Sequence, residues 1–204
     1  MGRVSDAKER LMEAVAELIW TGSYGSTTID QICEKAGVKK GSFYYFFDGK
    51  ASLAEAALEM EWQSYRTKLD SLFSASVPPL ERLRKYCVFC YAEQVELRAR
   101  YGFVLGCPLC TLGTEVSTRE RGLQKKVQEI MAHGLKYLET ALRDAHAAGL
   151  IQVRDASNKA RTLQAYHQGL QTQARIQNDV GVLRDLIRGT FEMLGLKPPK
   201  SRRP

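Results

Sequence analysis

The sequence predicts an all-α fold, with a small N-terminal unit of three helices joined to a larger C-terminal helical domain. Three observations predict it. Apolar residues recur at helical spacing through almost every segment. No segment alternates apolar and polar residues as a half-buried strand does, and no internal repeat is present. The helical runs are separated by Gly and Pro, the residues that break them. With 204 residues and 44% hydrophobic content, the chain can bury a real core in one or two domains.

The first helix carries Leu11, Val15, Leu18 and Ile19 on one face, with Asp6 and Glu9 as a capping box before them and Gly22 and Gly25 after them. Two short helices follow. Thr28 and Gln31 form a capping box for the first, Ile32 and Ala36 give it an apolar side, and Gly37 supplies the left-handed position that ends it. Lys39, Lys40, Gly41 and Ser42 open the second, where unpaired backbone N–H groups favour an anion. Phe43 and Phe47 are available to anchor that helix, leaving Tyr44 and Tyr45 outward. A long helix then runs from about Lys50 to Phe73, with Leu58, Trp62, Tyr65, Leu69 and Leu72 on one side. It begins so close to the short helices that no flexible linker separates the two parts. Pro78-Pro79 breaks the chain, and the next helix reaches about Arg100. Gly102, Gly106 and Pro108 interrupt again before a long helix from about Thr118 to Ala148. The last pair spans about Asp155 to Asn178 and Val180 to Leu194. The natural division falls after Lys50, into residues 1–50 and 51–204.

Residues 27–50, TTIDQICEKAGVKKGSFYYFFDGK, have the order of a helix-turn-helix: a short capped helix, a glycine turn, and a second short helix with a basic start and outward tyrosines. Thr27-Thr28, Ile32, Ala36-Gly37-Val38, Lys40 to Phe47 and Lys50 together resemble the TetR family of bacterial repressors, over about the first quarter of the chain. Two positions depart from the family pattern. Phe46 stands where His or Tyr is usual, a departure that bears on one phosphate contact and not on the fold, and Gly49 stands where Ser or Asn is usual. The resemblance implies a ligand-responsive regulator, a repressor released from a near-palindromic operator by a small-molecule effector. Thr27, Thr28, Lys40, Ser42 and Lys50 are then expected at phosphates, where they set register. Lys39, Tyr44 and Tyr45 are expected at base edges and thymine methyl groups.

Charge alone does not make this case. The net charge is +7, but residues 1–50 hold seven basic and seven acidic side chains, so the surplus lies in residues 51–204. The local cluster Lys35, Lys39, Lys40 and Lys50, not the bulk charge, points to DNA. Four positive charges of the surplus sit in the tail from Lys197, which reads as a solvated end. No apolar run is long enough for a membrane span, and MGRVSDAKER lacks the apolar centre of a signal peptide, so a cytoplasmic protein is expected.

The final helices carry Leu163, Tyr166, Leu170 and Ala174, then Leu183, Leu186, Ile187, Phe191 and Leu194. The resemblance implies that such helices form a four-helix homodimer interface, and one short recognition helix reads too few bases by itself. The other reading is that the stripes are core of the same chain. The larger domain is expected to enclose an effector pocket between its helices. Trp62, Tyr65, Tyr91, Cys107, Leu109, Tyr137 and Tyr166 are its candidate lining residues, though each also suits an ordinary core.

Cys87, Cys90, Cys107 and Cys110 read C-x2-C, sixteen residues, C-x2-C, and Cys33 makes five. Packing, a thiol sensor and structural zinc compete as explanations. Zinc suits the spacing but not the context, because Cys87 and Cys90 lie in an aromatic helix without a Gly-rich knuckle. Gly106-Cys107-Pro108-Leu109 resembles a Gly-Cys-Pro-Leu motif of one TetR subgroup, which includes regulators responding to electrophiles and small unsaturated acids. That likeness implies that Cys107 lies beside the effector site and can act as the sensing thiol, with Cys110 or another thiol resolving. The subgroup has Gly where Cys110 stands, so the likeness stops at Cys107. A CxxC redox protein is the rival from another class, but the βαβ context of that chemistry is missing. A DNA-binding module without an effector is a third possibility. His133, His146 and His167 are isolated, and no catalytic triad, HExxH, P-loop or dinucleotide motif is present, so neither an enzyme nor a cofactor or metal is expected.

Overall fold

The computed structural model describes residues 2–199, with side chains from Asp6 onward. Among the described residues the chain is helical and has no strand. The helices are α1 (Gly2–Thr21), α2 (Ile29–Ala36), α3 (Lys40–Phe46), α4 (Lys50–Leu72), α5 (Pro79–Tyr101), α6 (Pro108–Val116), α7 (Arg121–Ala147), α8 (Ala156–Gln177) and α9 (Asp185–Met193), with a 3-10 turn at Val180–Arg184. None of them is long and apolar enough to cross a membrane.

Two compact units result. One comprises the described part of Met1–Arg66 with Pro108–Met131, the other Thr67–Cys107 with the described part of Ala132–Pro204. This packing division differs from the expected boundary after Lys50. Leu53, Ala54 and Ala57 of α4, Leu112 and Val116 of α6, and Leu123 and Val127 of α7 share one buried cluster with Leu11, Val15, Ile32, Phe43 and Phe47. Three helices of seven to twenty residues expose too much apolar surface to be covered by one another alone, and segments far along the chain complete the cover.

Three local expectations are revised. Asp6 is not a helix start: α1 already begins at Gly2, and Asp6 faces Arg10 one turn on at 3.6 Å. The stretch Pro108–Val116 forms its own helix, α6, between the two long ones. The last helical segment starts as a 3-10 turn capped by Asp179, and becomes α-helical only from Asp185. Lys200, Arg202 and Arg203 of the basic tail lie outside the described residues.

In the second unit the stripes assigned to a dimer interface are largely core. Leu163 and Ala174 are fully buried, and Leu183, Leu186, Phe191 and Leu194 are buried within this one chain. Leu163 packs with Leu83, Leu138 and Leu142, and Leu186 with Cys87, Cys90 and Val104. The apolar periodicity was a true signal of burial, but it could not say whose surface does the burying. Besides polar residues such as Arg161, Gln173 and Gln177, α8 leaves Ala165, Gly169, Thr172 and Ile176 exposed, with Ile176 78% accessible.

Candidate nucleic-acid interface

Local chemistry builds α2 as expected. The Thr28 hydroxyl accepts from the Gln31 amide at 3.2 Å, and the Gln31 side chain accepts from the Thr28 amide at 2.8 Å, which closes the capping box. Gly37 ends the helix at φ 61°, where a side chain would be strained, and the Val38 amide turns back to the Cys33 carbonyl. Arg10 of α1 donates to the Ala36 carbonyl at 2.9 Å and ties that corner down.

The second short helix, α3, hangs on its phenylalanines. Phe43 is completely buried and Phe47 nearly so, with their rings 6.1 Å apart. Tyr44 packs edge-on against Phe43, yet stays 55% exposed, and Tyr45 is 77% exposed against Phe46. Lys39 holds the extended N-cap position, and Lys40, Gly41 and Ser42 follow, all exposed. A Cβ at Gly41 would meet nothing within 4 Å, so glycine is not demanded there by this chain's own packing. Lys40 pairs with Asp30 of α2 at 2.7 Å, a partner that the sequence reading missed, and that carboxylate raises the pKa of the ammonium. Lys35 pairs with Glu17 of α1 at 3.0 Å.

Two residues expected at phosphates bond the chain's own backbone. Thr27 is 5% exposed, and its hydroxyl donates inward to the Ser23 carbonyl at 2.7 Å. Lys50 donates to the Tyr24 carbonyl at 2.6 Å and to the Thr27 carbonyl at 2.8 Å, with its ammonium 4.2 Å from the centre of the Tyr24 ring. Burial lowers its pKa, with Glu115 and Glu120 opposing. Nothing local announces this role, since the two carbonyls lie 26 and 23 residues upstream.

A basic N-cap, exposed tyrosines and a buried phenylalanine anchor give α3 an outward face of hydrogen-bonding side chains, the kind of face a major groove takes. The family comparison agrees. Residues 11–57 match the model described as bacterial regulatory proteins, tetR family, and residues 79–190 match the tetracyclin repressor-like C-terminal domain. The chain belongs to the TetR family. It is a ligand-responsive DNA-binding transcriptional regulator of the helix-turn-helix class. It is 26% identical over 198 residues to an uncharacterized HTH-type regulator from the lacX 3' region of Lactococcus lactis, covering 94% of this chain and 96% of the other. It is 23% identical over 186 residues to the transcriptional repressor NemR of Escherichia coli, covering 89% and 90%. The crystal structure of regulatory protein TetR from Rhodobacter sphaeroides superposes with a TM-score of 0.80 at 27% identity, covering 90% of this chain and 96% of that one.

The expected effector residues fall in both units. Trp62, Tyr65 and Leu109 belong to the first, where Trp62 is buried and Leu109 packs on the apolar cluster. The rest belong to the second. Tyr91 lies against the Cys87–Cys90 cluster. Tyr137 donates to Asp70 and packs on Phe73 with ring centres 5.5 Å apart. Tyr166 donates to the Asp185 carbonyl at 2.8 Å and lies so close over α9 that a Cβ at Gly189 would sit 2.0 Å from its hydroxyl. An open groove beside Tyr166 is lined by Leu170, Asp185, Arg188, Glu192 and Met193.

The cysteines are all thiols, and their surroundings differ. Burial pushes Cys87 up to about 11 and Cys90 well above the usual thiol range, so both keep their protons near neutral pH. Cys107 is half-buried at the start of α6, and polar clamps hold the segment leading to it. Gln94 bonds both the amide and the carbonyl of Gly106, at 2.8 and 3.1 Å, and Arg175 donates to the Leu105 carbonyl at 2.7 Å. Gly106 has φ 65°, and a Cβ there would approach the Gln171 carbonyl to 3.0 Å.

Proposed function

We propose that this regulator is a homodimeric repressor that places two copies of α3 in successive major grooves of a near-palindromic operator. The observation that carries the reading is the pairing of a fully buried Phe43 with exposed Tyr44 and Tyr45 on one short helix. Lys39, Tyr44 and Tyr45 read base edges. Thr28, Lys40, Gly41 and Ser42 meet phosphates at the helix starts, and Lys50 and Thr27 keep the scaffold that presents them. Residues 1–50 are the reading domain in function, and the rest of the chain supplies ligand response and dimerisation. The exposed side of α8, at Ala165, Gly169, Thr172 and Ile176, is the dimer contact, because small side chains let two helices approach closely and Ile176 needs cover. A gel shift against the DNA flanking its own gene tests this reading. Tyr45→Ala should weaken operator binding more than binding to unrelated DNA. Equal loss on both would remove Tyr45 from base reading.

Cys107 supports a second, compatible reading in which the effector is an electrophile. It is less buried than Cys33, Cys87 and Cys90, and it stands at a helix start that favours thiolate. Brief iodoacetamide treatment followed by mass spectrometry should label Cys107 before those three, and labelling should lower operator affinity. Labelling without loss of DNA binding leaves a non-covalent small molecule as the effector. The setting is cytoplasmic.

A further inference from the structure

The loop between α1 and α2 is gripped by a side chain from 90 residues away. Glu115 of α6 accepts from the Tyr24 amide at 2.8 Å through Oε2 and from the Gly25 amide at 2.5 Å through Oε1. Both oxygens are used, on successive peptide groups, so the carboxylate fixes the orientation of the loop and not only its distance. Gly25 allows the approach: a Cβ there would come within 2.9 Å of Oε1. Lys50 holds the same segment by its carbonyls, at Tyr24 and Thr27. The loop is therefore clasped on its N–H side by an anion and on its C=O side by a cation. The Tyr24 hydroxyl adds a third hold by donating to Glu120 at 3.2 Å, and burial with Glu120, Glu55 and Glu115 nearby raises its pKa to about 12, so it keeps its proton. The clasped segment ends at Thr27 and Thr28, the start of α2.

We infer that Glu115 is a positioning residue for DNA reading: its carboxylate holds the α1–α2 loop and so sets where α2 and α3 stand. The inference rests on the reading face proposed above. It makes a prediction of unusual sign. An acid near a DNA face ordinarily repels phosphates, so removing it should tighten binding and steepen the salt dependence. A positioning residue touches no phosphate, so removing it should loosen operator binding and leave the salt slope alone.

The test uses the full chain. Glu115→Ala removes both charge-assisted hydrogen bonds and should weaken operator binding at least roughly 10-fold, at an unchanged slope of log affinity against log salt. Glu115→Gln keeps one acceptor oxygen and should lose roughly 3-fold. In amide NMR spectra, the Tyr24 and Gly25 signals should move and exchange faster in Glu115→Ala. Wild-type or tighter operator binding by Glu115→Ala, or a slope changed by about one unit, overturns the inference. So do Tyr24 and Gly25 amides that stay where they were. If Glu115→Ala melts early, Glu115→Gln at a temperature where both are folded decides it. Failure of the reading face itself looks different: Tyr45→Ala and Lys40→Ala would then leave operator binding intact, while the amide signals would still report the clasp.

Discussion

Polar groups are handled in opposite ways at two places in this molecule. Around the α1–α2 loop, Lys50, Glu115, Glu120 and the Tyr24 hydroxyl are each bonded, and all serve the backbone or ring of one loop. Between α5, α8 and α9, Cys87, His167 and Thr190 form a buried group that bonds mainly within itself, with the Leu186 carbonyl 3.7 Å from Cys87 Sγ. His167 Nε2 lies 2.7 Å from the Thr190 hydroxyl, Cys87 Sγ lies 3.5 Å from it, and His167 Nδ1 is buried without a hydrogen-bond partner among the described residues. The first cluster trades exposure for defined direction, as a reading head needs. The second sits in an apolar core whose contacts hold the helices together, and its polar atoms are tolerated there at a cost.

The largest expected effect falls on the second region. Leu186→Ala should cost about 2–5 kcal/mol of unfolding free energy, because Leu186 is fully buried against Cys87, Cys90 and Val104. Chemical denaturation measures it. A loss under 1 kcal/mol, together with a shift from dimer to monomer, would return Leu186 to an interface between copies.

His167 gives the next largest effect, and pH reads it out. Burial lowers its pKa from 6.5 to about 4, so the folded chain keeps it neutral while the unfolded chain protonates it. Below pH 6.5 the unfolded state binds more protons, and stability falls with pH until about 4, where the folded state also takes up the proton. The loss over that window is roughly 3 kcal/mol at most. His167→Gln should flatten the profile between pH 6.5 and 4. A slope that persists in that variant would assign the acid sensitivity to carboxylates.

How much of this was legible in the sequence depends on how far apart the partners are. The capping box of Thr28 and Gln31, the turn at Gly37 and the burial of Phe43 are local events, and each could be read from a few residues. The nine residues of α6, PLCTLGTEV, do place Leu109, Leu112 and Val116 at i, i+3 and i+7, but the stripe is short and lies among three helix-weakening Thr or Gly residues, so it did not stand out as a helix. Burial of Leu163 and Leu183 followed from periodicity, but whether their cover comes from the same chain did not. Lys50 and Glu115 act on backbone groups, which have no sequence signature at all. A basic residue after a helix-turn-helix pattern reads as a phosphate contact until its two carbonyls are seen.

The smallest effect separates two lysines that look alike in sequence. Lys40 is exposed at the start of α3 and paired with Asp30 on the surface, a bond that solvent screens and that phosphate can replace. Lys50 is turned inward to the carbonyls of Tyr24 and Thr27. Lys40→Ala should barely change the melting temperature, should weaken specific and non-specific DNA binding alike, and should lower the salt slope by about one unit. Lys50→Ala should do the reverse. It leaves two loop carbonyls without their cation and should cost about 1–3 kcal/mol of stability, while operator affinity falls at an unchanged slope. The two variants measured side by side, by thermal melt and by salt titration of DNA binding, make four numbers with a crossed pattern. A unit change of slope for Lys50→Ala would mean that the lysine leaves its carbonyls when DNA arrives. The α1–α2 loop would then be clasped only in the free protein, and DNA binding would have to spend part of its energy undoing that clasp.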